Sequence, residues 1–213
     1  QEEEEIEEIE ISSRFMETED TLVANSNFLL DSYEKEPVSF ILKNGILVSV
    51  RDTNLKSFNE TVKKMFANPK NYLTGFHIFI ALLETRVEYD ADMIEDATSE
   101  ITKLSKTLTV AEDIDEDMLL EIKNLQEKTM HLRENIIDKH RVVSNVLRSA
   151  LIPADLKPRL NLVIKDINSL IEHTKFGFER LDYLQDTFLG LVNIEQNKII
   201  KIFTVVSVIF MPP

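Results

Sequence analysis

Residues 193–213 read Asn-Ile-Glu-Gln-Asn-Lys-Ile-Ile-Lys-Ile-Phe-Thr-Val-Val-Ser-Val-Ile-Phe-Met-Pro-Pro. Lys198 and Lys201 are the last charges, and from Ile202 onward nearly everything is apolar. The polar residues that remain do not scatter. Asp186, Gly190, Asn193, Asn197, Ile200, Thr204, Ser207 and Met211 follow one another in steps that alternate four and three, so a helix carries them along one side. Twelve residues from Ile202 to Pro213 are too few to cross a bilayer, which takes about 20. The segment reads as a membrane helix cut off early or as a buried core helix, and spacing alone leaves both open. In a membrane, Asn, Thr and Ser on one side turn toward other helices or a water-filled path, because lipid offers them no hydrogen-bond partner. The lysine pair then marks the cytoplasmic end.

Working back along the chain, the helical pattern continues without a break to Ala154, with Pro158 in a first turn that tolerates proline. Sixty helical residues span roughly 90 Å, far more than a globular domain needs. A pattern this long without caps points to a coiled coil, a membrane helix, or one passing into the other. A packing stripe runs along it at three-four spacing: Leu160, Ile164 or Val163, Ile167, Ile171 or Leu170, Thr174, Phe178, Leu181, Gln185 or Leu184, Phe188, and Val192 or Leu191.

Two further long helices precede it. One is predicted from Tyr72 to about Leu108 and a second, after a polar break over Glu112–Asp117, to about Leu151, where Ile152-Pro153 stops it. Together they predict an antiparallel hairpin. Between Glu84 and Asp117 stand twelve carboxylates against Arg86, Lys103 and Lys106, either a solvated helix face or a cation-attracting surface. Asp90 and Asp92 are two apart on a helix, so their side chains diverge and make a poor chelating pair. Upstream, Arg14–Glu17, Leu22–Leu30, Pro37–Leu42 and Ile46–Arg51 are short β-capable runs, with Asn44-Gly45 suited to a two-residue hairpin turn. Phe58, Val62, Met65 and Phe66 predict a short helix covering that sheet before Asn68-Pro69 ends it. The acidic opening, Glu2–Glu10, reads as a helix end or a frayed terminus.

The expected fold class is therefore α+β: a small antiparallel sheet module covered by helices (residues 1–70), a long acidic antiparallel helix pair (71–152), and a very long stalk helix running into the start of a membrane helix (153–213). A sheet this small implies that further strands lie upstream of Gln1.

Composition narrows the function. A formal net charge of −14 argues against a nucleic-acid partner, which needs lysine and arginine on its phosphates. Cysteine is absent, which excludes disulfides, thiolate zinc sites and a cysteine nucleophile. No signal peptide is visible, and the start at Gln1 reads as a fragment boundary. No glycine-rich phosphate loop or nucleophile elbow occurs. His77, His131, His140 and His173 show no close ligand spacing. The reading is of a non-enzyme.

The stretch Asn193–Pro213 resembles the stalk-to-membrane junction of CorA-type magnesium transporters, and the order of α/β module, acidic helix hairpin and long stalk is similar along the whole chain. The family's Gly-Met-Asn loop is expected shortly after Pro213. The resemblance implies a homopentamer in the plasma membrane, carrying Mg²⁺ and in some cases Co²⁺ or Ni²⁺, with this chain as its cytoplasmic and stalk part. It places Asn197 on a pore ring that contacts hydrated Mg²⁺, Asp186 on an acidic ring near the cytoplasmic mouth, and Asn193 between them. Ile200, Phe203 and Met211 match bulky positions that constrict the pore, whereas spacing favours Thr204 over Phe203, with Ser207 a turn further on. Regulatory divalent cations bind this family between one subunit's α/β domain and the neighbouring stalk, where Asp155 and Asp166 are the candidate carboxylates. A zinc transporter resembling ZntB and a helical interaction protein remain the alternatives.

Overall fold

The structure is a computed structural model that describes residues 14–110 and 116–210. The opening run Glu2–Glu10, most of the break Glu112–Asp117 and Met211 lie outside the described residues. The four β-capable runs form strands β1 (Phe15–Glu17), β2 (Thr21–Leu29), β3 (Lys35–Lys43) and β4 (Ile46–Val50). They pair in chain order as an antiparallel meander. Lys43 pairs with Ile46, and Asn44 and Gly45 between them both have positive φ, 50° and 75°. That is the backbone an Asn-Gly hairpin turn requires.

Helices α1 (Lys56–Ala67), α2 (Gly75–Val110), α3 (Glu116–Arg148) and α4 (Lys157–Phe210) follow, with a single 3₁₀ turn at Pro69–Asn71. The boundaries differ from the sequence reading in small ways with local causes. The first of the two long helices, α2, starts at Gly75, because the 3₁₀ turn occupies the stretch before it. Glu116 and Asp117, read as part of a break, form the first turn of α3, where the helix dipole favours carboxylates. That helix stops at Arg148, ahead of Pro153, and Pro158 is the second residue of α4.

The chain divides into two compact units, Gln1–Glu95 with Met130–Thr174, and Asp96–Thr129 with Lys175–Pro213. In the first unit, β2 and β3 alternate buried and half-exposed residues, so one sheet face is apolar. Leu22, Phe28, Val38, Phe40 and Leu42 of the sheet, Phe58 of α1, and Phe79, Ile80 and Leu83 of α2 are all buried. Phe40 lies at the centre, 5.0 Å from Phe79 and 6.1 Å from both Phe28 and Phe58, measured between ring centroids. The face of α1 is not the one expected. Phe58 is buried, but Val62 is 46% and Phe66 84% exposed, and Ser57 and Thr61 take the inner positions instead. The Thr61 hydroxyl donates to the Ser57 carbonyl at 2.8 Å, which satisfies it without solvent.

The first unit also buries a charged cluster. Asp90 of α2 accepts from Arg86 Nε at 3.0 Å and Nη2 at 2.5 Å, and its other oxygen lies 3.0 Å from Lys139 Nζ of α3. Arg86 Nη1 donates to the Leu29 carbonyl at 2.8 Å. Asn135 receives the Lys139 ammonium and donates to the Asn27 carbonyl at 2.7 Å. The network thus ties α2 and α3 to β2.

In the second unit, Ile101, Leu104 and Leu108 of α2, Ile122 and Leu125 of α3, and Leu181, Leu184 and Phe188 of α4 form one core. Glu100 pairs with Lys128 at 2.8 Å while the later Leu108 shares that core with the earlier Ile122, so α2 and α3 run antiparallel.

Candidate ion-path face of the last helix

Burial resolves two of the four paired alternatives in the α4 stripe, in favour of Val163 and Leu184, and leaves Leu170 and Ile171 equally half-buried. Leu160, Val163, Ile167, Thr174, Leu181, Leu184 and Phe188 are the buried members, and Leu191 and Val192 pack partly against the same core. Gly177 is buried where Phe178 was expected: a Cβ there would lie 3.6 Å from Ile101 and 3.7 Å from Thr129.

The opposite side of α4 is open. Asp186, Asn193, Asn197, Ile200, Phe203, Thr204 and Ser207 are all exposed. At about 100° per residue, Asp186, Asn193, Asn197 and Thr204 lie within roughly 40° of direct opposition to Phe188. Ile200 and Ser207 flank them. Phe203 lies only about 60° from Phe188 by the same rotation, so Thr204 shares the polar face and Phe203 does not. The Thr204 hydroxyl donates to the Ile200 carbonyl at 2.8 Å, which leaves its oxygen lone pairs facing outward. Among the described residues, no hydrogen bond engages the side chains of Asp186, Asn193 or Asn197. Gly190 belongs to this face, and a Cβ there would meet nothing within 4 Å.

Beyond Lys201 the exposed residues are apolar except for Thr204 and Ser207. Ile202, Phe203, Val205, Val206, Val208, Ile209 and Phe210 range from 45% to 79% exposed. So much exposed apolar surface on one helix calls for surroundings other than water. Among the described residues no helix is long and apolar enough to cross a membrane.

Two aromatic residues on the outer side of α4 escaped the sequence reading. Phe176 and Tyr183, 58% and 70% exposed, stand seven apart and continue in sevens through Gly190, Asn197 and Thr204. That heptad spacing was the available signal.

The two regulatory candidates are not brought into one site. Asp155 is exposed in the turn before α4. Asp166 lines a cavity of about 470 Å³ with Glu84, Glu88 and His173 over Val87 and Leu170. Glu84 is held by Arg159 at 2.5 and 2.9 Å, and Glu88 by Lys64 at 2.7 Å. Among the described residues no group of three acidic or imidazole side chains is arranged to hold a metal.

A family model described as CorA-like Mg²⁺ transporter protein matches residues 1–213. The magnesium transport protein CorA of Wolinella succinogenes is 38% identical over 219 residues, an alignment covering 99% of this chain and 68% of that protein. Among solved structures, the complete CorA magnesium transporter of Methanocaldococcus jannaschii superposes with a TM-score of 0.80 at 19% identity, covering 92% of this chain and 64% of that one. The ZntB cytoplasmic domain of Vibrio parahaemolyticus gives a TM-score of 0.66 at 14% identity, covering 84% and 72%. At these identities the two structures establish the fold. The chain spans about two thirds of the length of the relatives it matches.

Proposed function

This chain belongs to the CorA-like Mg²⁺ transporter family, a family of transporters rather than enzymes, and from that premise we propose that it forms the cytoplasmic, cation-sensing part and the pore entrance of a divalent-cation channel. The observation that carries the proposal is the open polar face of α4, opposite the packed one and continuing through Thr204 and Ser207 into a segment whose other exposed residues are apolar. Several copies of the helix around a common axis turn Asp186, Asn193, Asn197 and Thr204 inward together. Five is the number that the family resemblance supplies. Asp186 concentrates cations at the mouth. Further in, carboxamides suit Mg²⁺, because an ion that sheds water reluctantly is held better through its hydration shell than in a dry cage. Lys198 and Lys201 then sit at the cytoplasmic edge of the plasma membrane.

Gly190 supports this reading. Glycine inside a helix costs about 0.5–1 kcal/mol relative to alanine, and nothing among the described residues requires it there. Close approach of another copy supplies a reason. Ile200 and, beyond the described residues, Met211 provide the apolar constrictions. A regulatory divalent cation at Asp155 or Asp166 takes its remaining ligands from a neighbouring copy, since neither aspartate gathers a ligand set among the described residues.

The test is ion uptake by the full-length protein in cells depleted of Mg²⁺. Asn197→Leu abolishes uptake if the face lines the path, and unchanged uptake removes Asn197 from it. Competition by Co²⁺, Ni²⁺ and Zn²⁺ in the same assay identifies the transported ion.

A further inference from the structure

Away from α4, the first unit holds a cavity of about 280 Å³ lined by Leu29, Asp31, Leu55, Lys56, Ser57, Arg86 and Tyr89, among others. It lies at the N-terminus of α1, and that terminus is bare. Leu55 at the cap position makes no side-chain hydrogen bond, and the first turn holds no acidic residue. The first helical bonds are those of the Phe58 and Asn59 amides to the Leu55 carbonyl. Among the described residues, the Lys56 and Ser57 amides therefore have no acceptor, and the positive end of the helix dipole is unopposed. Ser57 adds a second, independent feature. It is 2% exposed, it lines the cavity, and its hydroxyl has no hydrogen-bond partner among the described residues. Such a group costs stability unless something engages it.

Two cations, Lys56 and Arg86, and one carboxylate, Asp31, line the cavity, and the Arg86 guanidinium is already held by Asp90. Arg86, 2% exposed, stacks its guanidinium 5.2 Å from the Tyr89 ring centre. The Lys56 ammonium stands 5.7 Å from the same ring. A second carboxylate answers Lys56. Asp31, from the β2–β3 loop, receives the Lys56 ammonium on one oxygen and the Tyr89 hydroxyl, at 2.5 Å, on the other. Tyr33 in that loop has φ of 65°, a conformation that costs a non-glycine residue energy. The loop that delivers Asp31 is thus strained.

We infer that this cavity is a binding site for inorganic phosphate, in which Asp31 is an internal stand-in that the ligand displaces. The donors are the Lys56 and Ser57 amides, the Ser57 hydroxyl, the Lys56 ammonium and the Tyr89 hydroxyl. Five donors from two helices exceed what the two oxygens of a carboxylate accept and suit an anion with four. The site is independent of the ion path on α4.

Phosphate titration followed by ³¹P line broadening, at constant ionic strength and with Asp31→Ala beside the wild type, tests the inference. Saturable binding is expected in both, about tenfold tighter in Asp31→Ala, where the competing carboxylate is gone. Adding Ser57→Ala to Asp31→Ala is expected to weaken binding at least tenfold. Its melting temperature without phosphate stays at or above that of Asp31→Ala, because the hydroxyl removed was unpartnered. Absence of saturation in Asp31→Ala, or binding that Ser57→Ala leaves unchanged, overturns the inference.

Discussion

Lys139 and Asp90 meet at 3.0 Å with both side chains no more than 2% exposed, in the interior of the sheet-bearing unit. Burial pulls the Lys139 ammonium down to about 8 from its ordinary 10.5; Asp90 works against that shift and Arg86 adds to it. Between those two values the unfolded chain holds a proton that the folded one has released, so stability rises with pH across the window. The gain from pH 7 to pH 10 is expected to be about 3 kcal/mol, read from urea unfolding at each pH. Lys139→Met removes the rise while keeping the volume.

Asp90 is the shared counter-charge of two buried cations, and that makes it the sensitive member of the cluster. Asp90→Asn leaves Arg86 and Lys139 without an anion and is expected to cost about 3–5 kcal/mol. Combining Asp90→Leu with Lys139→Met should recover part of that loss, measured as the interaction energy of a double-mutant cycle.

Gly75 and Gly190 make opposite predictions. A Cβ at Gly75 would lie 2.5 Å from the Leu47 nitrogen and 2.7 Å from the Ile46 carbonyl carbon, because the start of α2 is pressed onto the β3–β4 hairpin. The Gly75 amide donates to the Gly45 carbonyl at 2.5 Å. Gly75→Ala is expected to destabilise the chain by about 2 kcal/mol or more. Gly190→Ala, with open space around it, should stabilise the separate chain by about 0.5–1 kcal/mol. The same change is expected to lower ion uptake in the full-length protein, where α4 meets its copies.

If Asp166 contributes to a regulatory cation site, millimolar Mg²⁺ raises the melting temperature more than NaCl of equal ionic strength does. Asp166→Asn should remove that excess. A shift that persists in the variant assigns the effect to other carboxylates.

Much of this fold could be read from sequence because its signals are local. Asn44-Gly45 carries its own backbone preference, and the apolar alternation of β2 and β3 places Leu22, Phe28 and Phe40 on one face. The stripe on α4 was legible to within one residue, since Val163 and Ile164 differ only in rotation about the helix. What escaped depends on distant partners. Asp90 looked like one carboxylate among many on an acidic helix, and only the arrival of Lys139 from α3 makes it a buried counter-ion. Phe66 looked like core but faces out, because Thr61 satisfies its hydroxyl locally on the Ser57 carbonyl and takes the inner side of α1 together with the small Ser57.

The central claim is that one face of α4 lines an ion path. A cysteine scan of residues 186–207 in the full-length protein, with Mg²⁺ uptake measured before and after a charged, water-soluble thiol reagent, tests it most directly. The account predicts block at positions 186, 190, 193, 197, 200 and 204, and none at 188, 192 or 195. Block without that three-four period, or strongest on the side of Phe188, would contradict it.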